Sequence, residues 1–288
     1  MAAQDVRPSP IAGQWYAGDR TDLSREVDRF LDAAILPELK GELVGVIAPH
    51  AGHTYSGAVA GHAFAALRGR KIDLVAVLAP MHGLHPASLL TTAHSAYETP
   101  LGFVEVDGAA LEALNARLQR KMDIGITTVR RDREHSLEVE LPFLQRALAP
   151  GWKLLPVMVR TVESRVVECL GHALAEVVRD RSFVLVGSTD LSHFYRQEMA
   201  LAFDQAMLRS IEELAPERMF QLERAGKGFA CGLGAAAAVV WATLSLGANK
   251  AVILRHATSG DVTGDYMSVV GYGAIAIQRI GSIGTGKR

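Results

Sequence analysis

Short, mainly apolar runs recur along this chain, and each stops abruptly at a polar cluster. Leu43–Ala48 (LVGVIA), Ile72–Ala79 (IDLVAVLA), Lys153–Val159 and Phe183–Gly187 (FVLVG) are the clearest. A strand without polar alternation is buried on both faces, so helices must cover the sheet above and below. Helical patterns lie between these runs: Gly57–Leu67, Gly108–Leu118, Ser136–Leu148, Glu163–Arg179, and a mainly helical stretch from Arg196 to about Leu246. In Ser136–Leu148 the residues Leu137, Leu141, Leu144 and Leu148 form one apolar stripe. Two late strands are expected at Ala251–Arg255 and Ser268–Ile277. The alternation predicts an α/β fold, a central and mostly parallel sheet with helices on both faces. No repeat or Pro/Gly/Ser-rich linker divides the chain, so residues 1–288 are expected to form a single domain.

Composition excludes several classes. With 49% hydrophobic and 21% charged residues the chain is not intrinsically disordered. Lys plus Arg number 30 and Asp plus Glu 31, which leaves no electrostatic footprint for nucleic acid or an anionic membrane. Two cysteines, Cys169 and Cys231, exclude a disulfide framework and point to a reducing, cytoplasmic compartment. Met1–Pro10 has no apolar core of signal-peptide type. Phe229–Ala248 carries no charge over 20 residues, long enough to span a bilayer. Its small residues and the strand-like Lys250–Leu254 directly after it instead predict a loop leading into a buried helix.

In open α/β sheets, ligands bind beyond the carboxyl ends of the strands. Leu43–Ala48 runs into Pro49-His50, Ile72–Ala79 into Pro80-Met81-His82, and Phe183–Gly187 into Ser188-Thr189-Asp190-Leu191-Ser192-His193. Any one of these histidines alone is explained as well by a cap or a bond to a loop carbonyl. Three together predict that His50, His82 and His193 converge, and neutral imidazole is the commonest ligand for Zn, Fe and Cu. Cys231 lies between small residues just before a predicted helix, where a helix N-terminus would favour the thiolate. Cys169, mid-helix, is read as packing. His135 and Glu138 are three apart and share a helical face, available to a site or simply solvated. His53 and His85 follow three residues behind His50 and His82 and are expected at the same mouth.

Ala12-Gly13-Gln14-Trp15-Tyr16, Ala48-Pro49-His50-Ala51-Gly52, Pro80-Met81-His82-Gly83, Glu134-His135-Ser136-Leu137-Glu138, Asp190-Leu191-Ser192-His193 and Cys231-Gly232 occur in this order. Together they resemble the Memo family, whose prokaryotic members are called AmmeMemoRadiSam system protein B. The resemblance covers nearly the whole chain and implies a fold like that of class III extradiol dioxygenases. It implies metal ligands at His50, His82 and Cys231, an acid/base role for His193, and Asp190 and Glu138 lining the same pocket. Those dioxygenases hold Fe(II) with two histidines and a carboxylate, so a thiolate in third place shifts the chemistry towards softer or different metals. Trp15 and Tyr16 are read as aromatic walls or as core residues.

Three functions follow as expectations. The first is a non-haem iron- or copper-dependent redox enzyme acting on a small molecule. The second is a non-enzymatic interaction module that binds a peptide or partner protein in the same cleft, as the family's animal members are read to do with phosphotyrosine peptides. The third is a zinc hydrolase. The resemblance further implies radical-SAM and AMMECR-type protein partners.

Overall fold

Apolar β-branched runs and amphipathic helices alternate in the computed structural model, which describes residues 5–130 and 132–281. In chain order the elements are β1 (Val6–Arg7), α1 (Arg20–Ala33), β2 (Glu42–Ala48), α2 (His53–Ala65), β3 (Leu74–Pro80), β4 (Leu89–Thr92), β5 (Ala96–Thr99), β6 (Gly102–Glu105), α3 (Gly108–Met122) and β7 (Thr127–Val129). A 3₁₀ turn (Glu138–Glu140), α4 (Leu141–Ala147), β8 (Lys153–Val159), α5 (Ser164–Val178), β9 (Phe183–Ser188), β10 (His193–Tyr195) and α6 (Gln197–Glu212) follow. Then come α7 (Pro216–Arg224), α8 (Leu233–Ser245), β11 (Lys250–Thr258), α9 (Gly260–Thr263) and β12 (Val269–Arg279). Residues 1–4 and 282–288, part of the span expected to form one domain and including the start of Met1–Pro10, lie outside the described residues.

The main sheet runs β10-β12-β2-β9-β3-β8-β4-β7, with β11 also paired to β12. Strands β2, β9, β3 and β8 are parallel to one another, as the apolar runs predict. Towards the edges the pairing turns antiparallel, at β12 with β2, β11 and β10, and at β4 with β8. The sheet is therefore mixed, its parallel part confined mainly to the centre. Antiparallel neighbours need no crossover helix, so β11 and β12 follow one another with only the short α9 between them.

Both faces are covered, and the pleat shows it. Along β3, Leu74, Ala76 and Leu78 join a core with α3, α5 and α8, whereas Val75, Val77 and Ala79 join a second core with α1, α2 and α4. All four leucines of the Leu137–Leu148 stripe are buried. The segment is nonetheless two elements, because the 3₁₀ turn precedes α4, whose first turn carries Pro142. Helix α1 was not anticipated from its charged sequence, although Leu23, Val27 and Leu31 make a buried stripe and Asp19 caps it by accepting from the Thr21 and Asp22 amides. Helix α8 is the buried helix expected after Phe229. Among the described residues no helix is long and apolar enough to cross a membrane.

Helices α5 and α8 approach closely at Gly171. A Cβ there would stand 2.6 Å from the Trp241 Cβ and 2.7 Å from the Ala238 carbonyl oxygen. Backbone cannot yield as a flexible side chain does. Gly171→Ala is therefore expected to destabilise the fold by about 1–3 kcal/mol, read as a lower midpoint in urea unfolding.

Candidate metal centre

The central register sets the strand ends level. Ala48 pairs with Ser188, and Leu78 pairs with Gly187, so β2, β9 and β3 stop beside one another. The three polar clusters that follow then occupy one edge of the sheet. The His50 and His82 ring centres are 5.4 Å apart. His135 joins them, 5.6 Å from His50 and stacked on His82 at 4.8 Å. Trp15 closes the far side of His135 at 3.9 Å.

A carboxylate organises this cluster. Glu134, buried, accepts from the His82 backbone N–H at 2.6 Å and lies 3.0 Å from His82 Nδ1. It also accepts from the backbone N–H groups of His135 and Ser136, both at 2.9 Å. The His135 Nδ1 stands 3.3 Å from the same oxygen. Burial opposes ionisation of Glu134, but these bonds hold its carboxyl well below the usual range. His82 is raised in return, first by the Glu134 bond. His135 is pushed down to about 4, mainly by burial. His50, fully enclosed, falls well below the ordinary imidazole value through burial and then through the neighbouring imidazoles.

On the other side of His50, its Nε2 lies 3.1 Å from Cys231 Sγ. Its Nδ1 lies 2.9 Å from the Ser188 hydroxyl, which is also 2.5 Å from Glu140 Oε1. Cys231 reaches this position because Gly232 packs onto the end of β9, where a Cβ would overlap the Ser188 carbonyl. The expected helix-driven drop in thiol pKa is not what the fold produces. Desolvation of the sulfur, with the nearby Asp190 charge, pushes the thiol up. Asp190 accepts from the His50 backbone N–H at 2.8 Å and from the Ala51 N–H at 3.3 Å. His193 donates from Nδ1 to the Leu191 carbonyl at 2.8 Å, leaving Nε2 as the free acceptor. Burial lowers its pKa. The next residue, Phe194, sits at φ 63° within an irregular strand pairing, the kind of local bulge that re-aims a side chain.

Two groups of donor atoms lie within 4.8 Å of one another: His50, His82 and His135, and His50, Asp190 and Cys231. His50 belongs to both, while His82 and Cys231 fall in different groups. Glu138 is elsewhere engaged. One oxygen accepts from Ser9 and from the Tyr16 hydroxyl, the latter at 2.7 Å, and the other pairs with Arg7. Arg7, buried to 1% exposure, also grips Asp132 and the Glu134 carbonyl. It thereby ties the N-terminal strand to the loop carrying His135, a role that nothing in its sequence context signals. Tyr16 is a core residue, while Trp15 is a wall of the site. His53 bonds Glu26 at 2.6 Å and packs against Tyr16 and Phe143, and neither it nor His85 belongs to either donor group.

The fold and site define an α/β protein with several histidines and one cysteine gathered at the carboxyl edge of its parallel strands. Residues 7–276 match the family model described as Memo-like protein. A MEMO1 family protein of Nitrosopumilus maritimus is 34% identical over 274 residues, covering 94% of this chain and 98% of that one. Relatives of the same description from Methanopyrus kandleri, at 34% identity, and Aquifex aeolicus, at 32%, cover 95% and 93% of this chain and 99% and 97% of their own. The chain belongs to the Memo-like family.

Burial raises the Asp190 carboxyl to about 7, although two backbone donors favour its charged form. A folded value above the unfolded one means stability that is full at acid pH and is lost as pH rises towards 7. Asn keeps the accepting oxygen without the charge. In metal-free protein, Asp190→Asn should gain stability over wild type as pH rises from about 4 to 8, by roughly 2–4 kcal/mol at the end, measured by urea unfolding across that range.

Proposed function

We propose that this chain is a metal-binding redox protein of the non-haem iron or copper kind, with His50, His82 and Cys231 as ligands and His193 as the proton-transfer group. The observation that carries the reading is the environment of His50. Its Nδ1 is engaged by Ser188, its Nε2 lies beside a thiol sulfur, and one of its ring nitrogens lies within 4.8 Å of donor nitrogens on two further imidazoles. Imidazole and sulfur donors together suit iron and copper and also admit zinc. Bound there, the metal would supply Lewis acidity and one-electron chemistry. The chain itself supplies the rest. His193, uncharged and with Nε2 free, accepts a proton from a substrate. A cavity of about 250 Å³ lined by Cys231, His193, Leu191, Tyr195, Glu223 and Phe229 holds a small molecule beside both reactive groups. Tyr195, stacked on Phe229 at 5.5 Å, supplies an aromatic wall for a substrate. Asp190, bonded to the His50 amide, fixes the backbone of the loop.

The reading as an interaction module draws on the exposed apolar residues at the neighbouring sheet edge, where Phe194 is 74% and Met267 58% exposed. Elemental analysis of protein purified without metal-chelate resin separates the readings. Stoichiometric iron or copper supports the redox reading, zinc the hydrolase, and a metal-free, metal-refractory protein the interaction module. With iron or copper present, His193→Ala should keep most metal and lose about 10²–10⁴-fold in oxygen uptake with ascorbate as reductant. His50→Ala should lose the metal. Should His193→Ala come out as metal-free as His50→Ala, the proton-transfer role is wrong.

A further inference from the structure

The cavity beside Cys231 and His193 holds an ionisable group that the proposed chemistry leaves idle. Glu223, at the end of α7, lines it together with Tyr195 and Phe229. Met219 and Phe220 of the same helix are buried in the core, so the element that presents Glu223 is anchored. Its Oε2 is buried and has no hydrogen-bond partner among the described residues. Burial raises this carboxyl above its usual range, and a bond from the Ala230 backbone only partly opposes that. A buried carboxylate is costly unless a donor or a cation satisfies it. Among the described residues no Lys or Arg lines the cavity, and His193 is held uncharged by burial. Tyr195 and Phe229 stack at 5.5 Å, and Phe203 braces both edge-on at 5.0 and 5.2 Å. Aromatic rings pack hydrocarbon well and attract cations through their electron-rich faces. A carboxyl beside such rings suits an organic ammonium, whereas an anion finds no cationic side chain there.

We infer that this cavity takes a small organic amine, its ammonium group held by Glu223 and its hydrocarbon part packed against Tyr195 and Phe229. Glu223 then sets the class of molecule that enters. The inference rests on the redox reading above for the cavity's role as a substrate site, though not for the binding itself, and it names the substrate class which that reading leaves open. An ammonium gives the Glu223 carboxyl both a donor and a counter-charge. An alcohol of the same shape gives a donor alone, and a carboxylate of the same shape meets a like charge. The expected order of affinity is therefore amine, alcohol, carboxylate. At about 250 Å³ the cavity admits a single-ring amine rather than a peptide.

The test is calorimetric titration of the purified full chain with benzylamine, benzyl alcohol and benzoate, which share a shape and differ in charge. Benzylamine should bind at least about tenfold more tightly than benzyl alcohol, the gain expected of a hydrogen bond between charged groups. Benzoate should bind more weakly than either. Glu223→Gln keeps the size of the side chain and removes its charge. It should bring benzylamine to within about threefold of benzyl alcohol and leave benzyl alcohol itself unchanged. His50→Ala, expected to be metal-free, should keep the preference for benzylamine, which separates the carboxyl from direct coordination of the amine by a metal. Circular dichroism of each variant establishes that it is folded. If wild type binds neither molecule, or shows no preference for the amine, the inference is wrong. If Glu223→Gln retains the preference, the inference is wrong, and loss of binding in His50→Ala would then place the amine on the metal and leave the metal-binding reading standing. If the chain proves metal-free and metal-refractory yet prefers the amine through Glu223, the redox reading falls and the amine site stands.

Discussion

The register of β2, β9 and β3 is the constraint on which everything at the cleft depends. With Ala48 beside Ser188 and Leu78 beside Gly187, three parallel strands end at one level. Their backbone hydrogen bonds are used up along the ladder, and the loops that leave them emerge side by side at the carboxyl edge. A slip of one residue would exchange the two faces of a strand and send each side chain into the core shaped for its neighbour. Because both faces of these strands pack into apolar cores, the register has no competitor, and the site inherits its precision from the core.

Polar groups at that edge are held by one another. Asp190 accepts from the backbone where β2 ends, Glu134 does the same where β3 ends, and Ser188 reaches the carbonyl of Ser136 at 2.9 Å. Each of these bonds crosses between segments far apart in the chain. Buried polar groups left without partners would each cost on the order of 1–3 kcal/mol, so the loops are fixed by the need to satisfy them. Burial also decides protonation. His50 and His135 are held neutral and the Cys231 thiol is held protonated. Imidazole nitrogens therefore stand ready to bind a cation, while the sulfur binds one only by giving up its proton.

Arg7 extends this framework beyond the sheet. Its guanidinium, enclosed and lying 4.9 Å over the Tyr97 ring, joins Asp132, the Glu134 carbonyl and Glu138 to the N-terminal strand. Breaking a buried pair by removing one partner leaves an uncompensated charge, which makes such a junction costly to disturb. The loop that carries Glu134 and His135 is thus clamped at its base by Arg7 and at its tip by His82.

The sequence by itself determined the layered α/β architecture, because uninterrupted apolar strands are stable only when covered on both sides. It also determined where chemistry would gather, since polar residues that follow such strands have nowhere to go but the sheet edge. His50, His82, Asp190 and His193 were legible for that reason, each lying directly beyond a recognisable strand. Cys231 stood out through its small neighbours, and the close approach of Gly232 to β9 explains them. Short strands such as β4 to β7 were not legible, since three or four residues carry too little pattern. Only the tertiary structure decided which members of the Glu134–Glu140 segment face the histidines. Its 3₁₀ turn breaks the helical spacing, so His135 turns towards His50 while Glu138 turns to Arg7, Ser9 and Tyr16. The partners that decide this lie from 52 to 131 residues away in the chain, and no local periodicity encodes them.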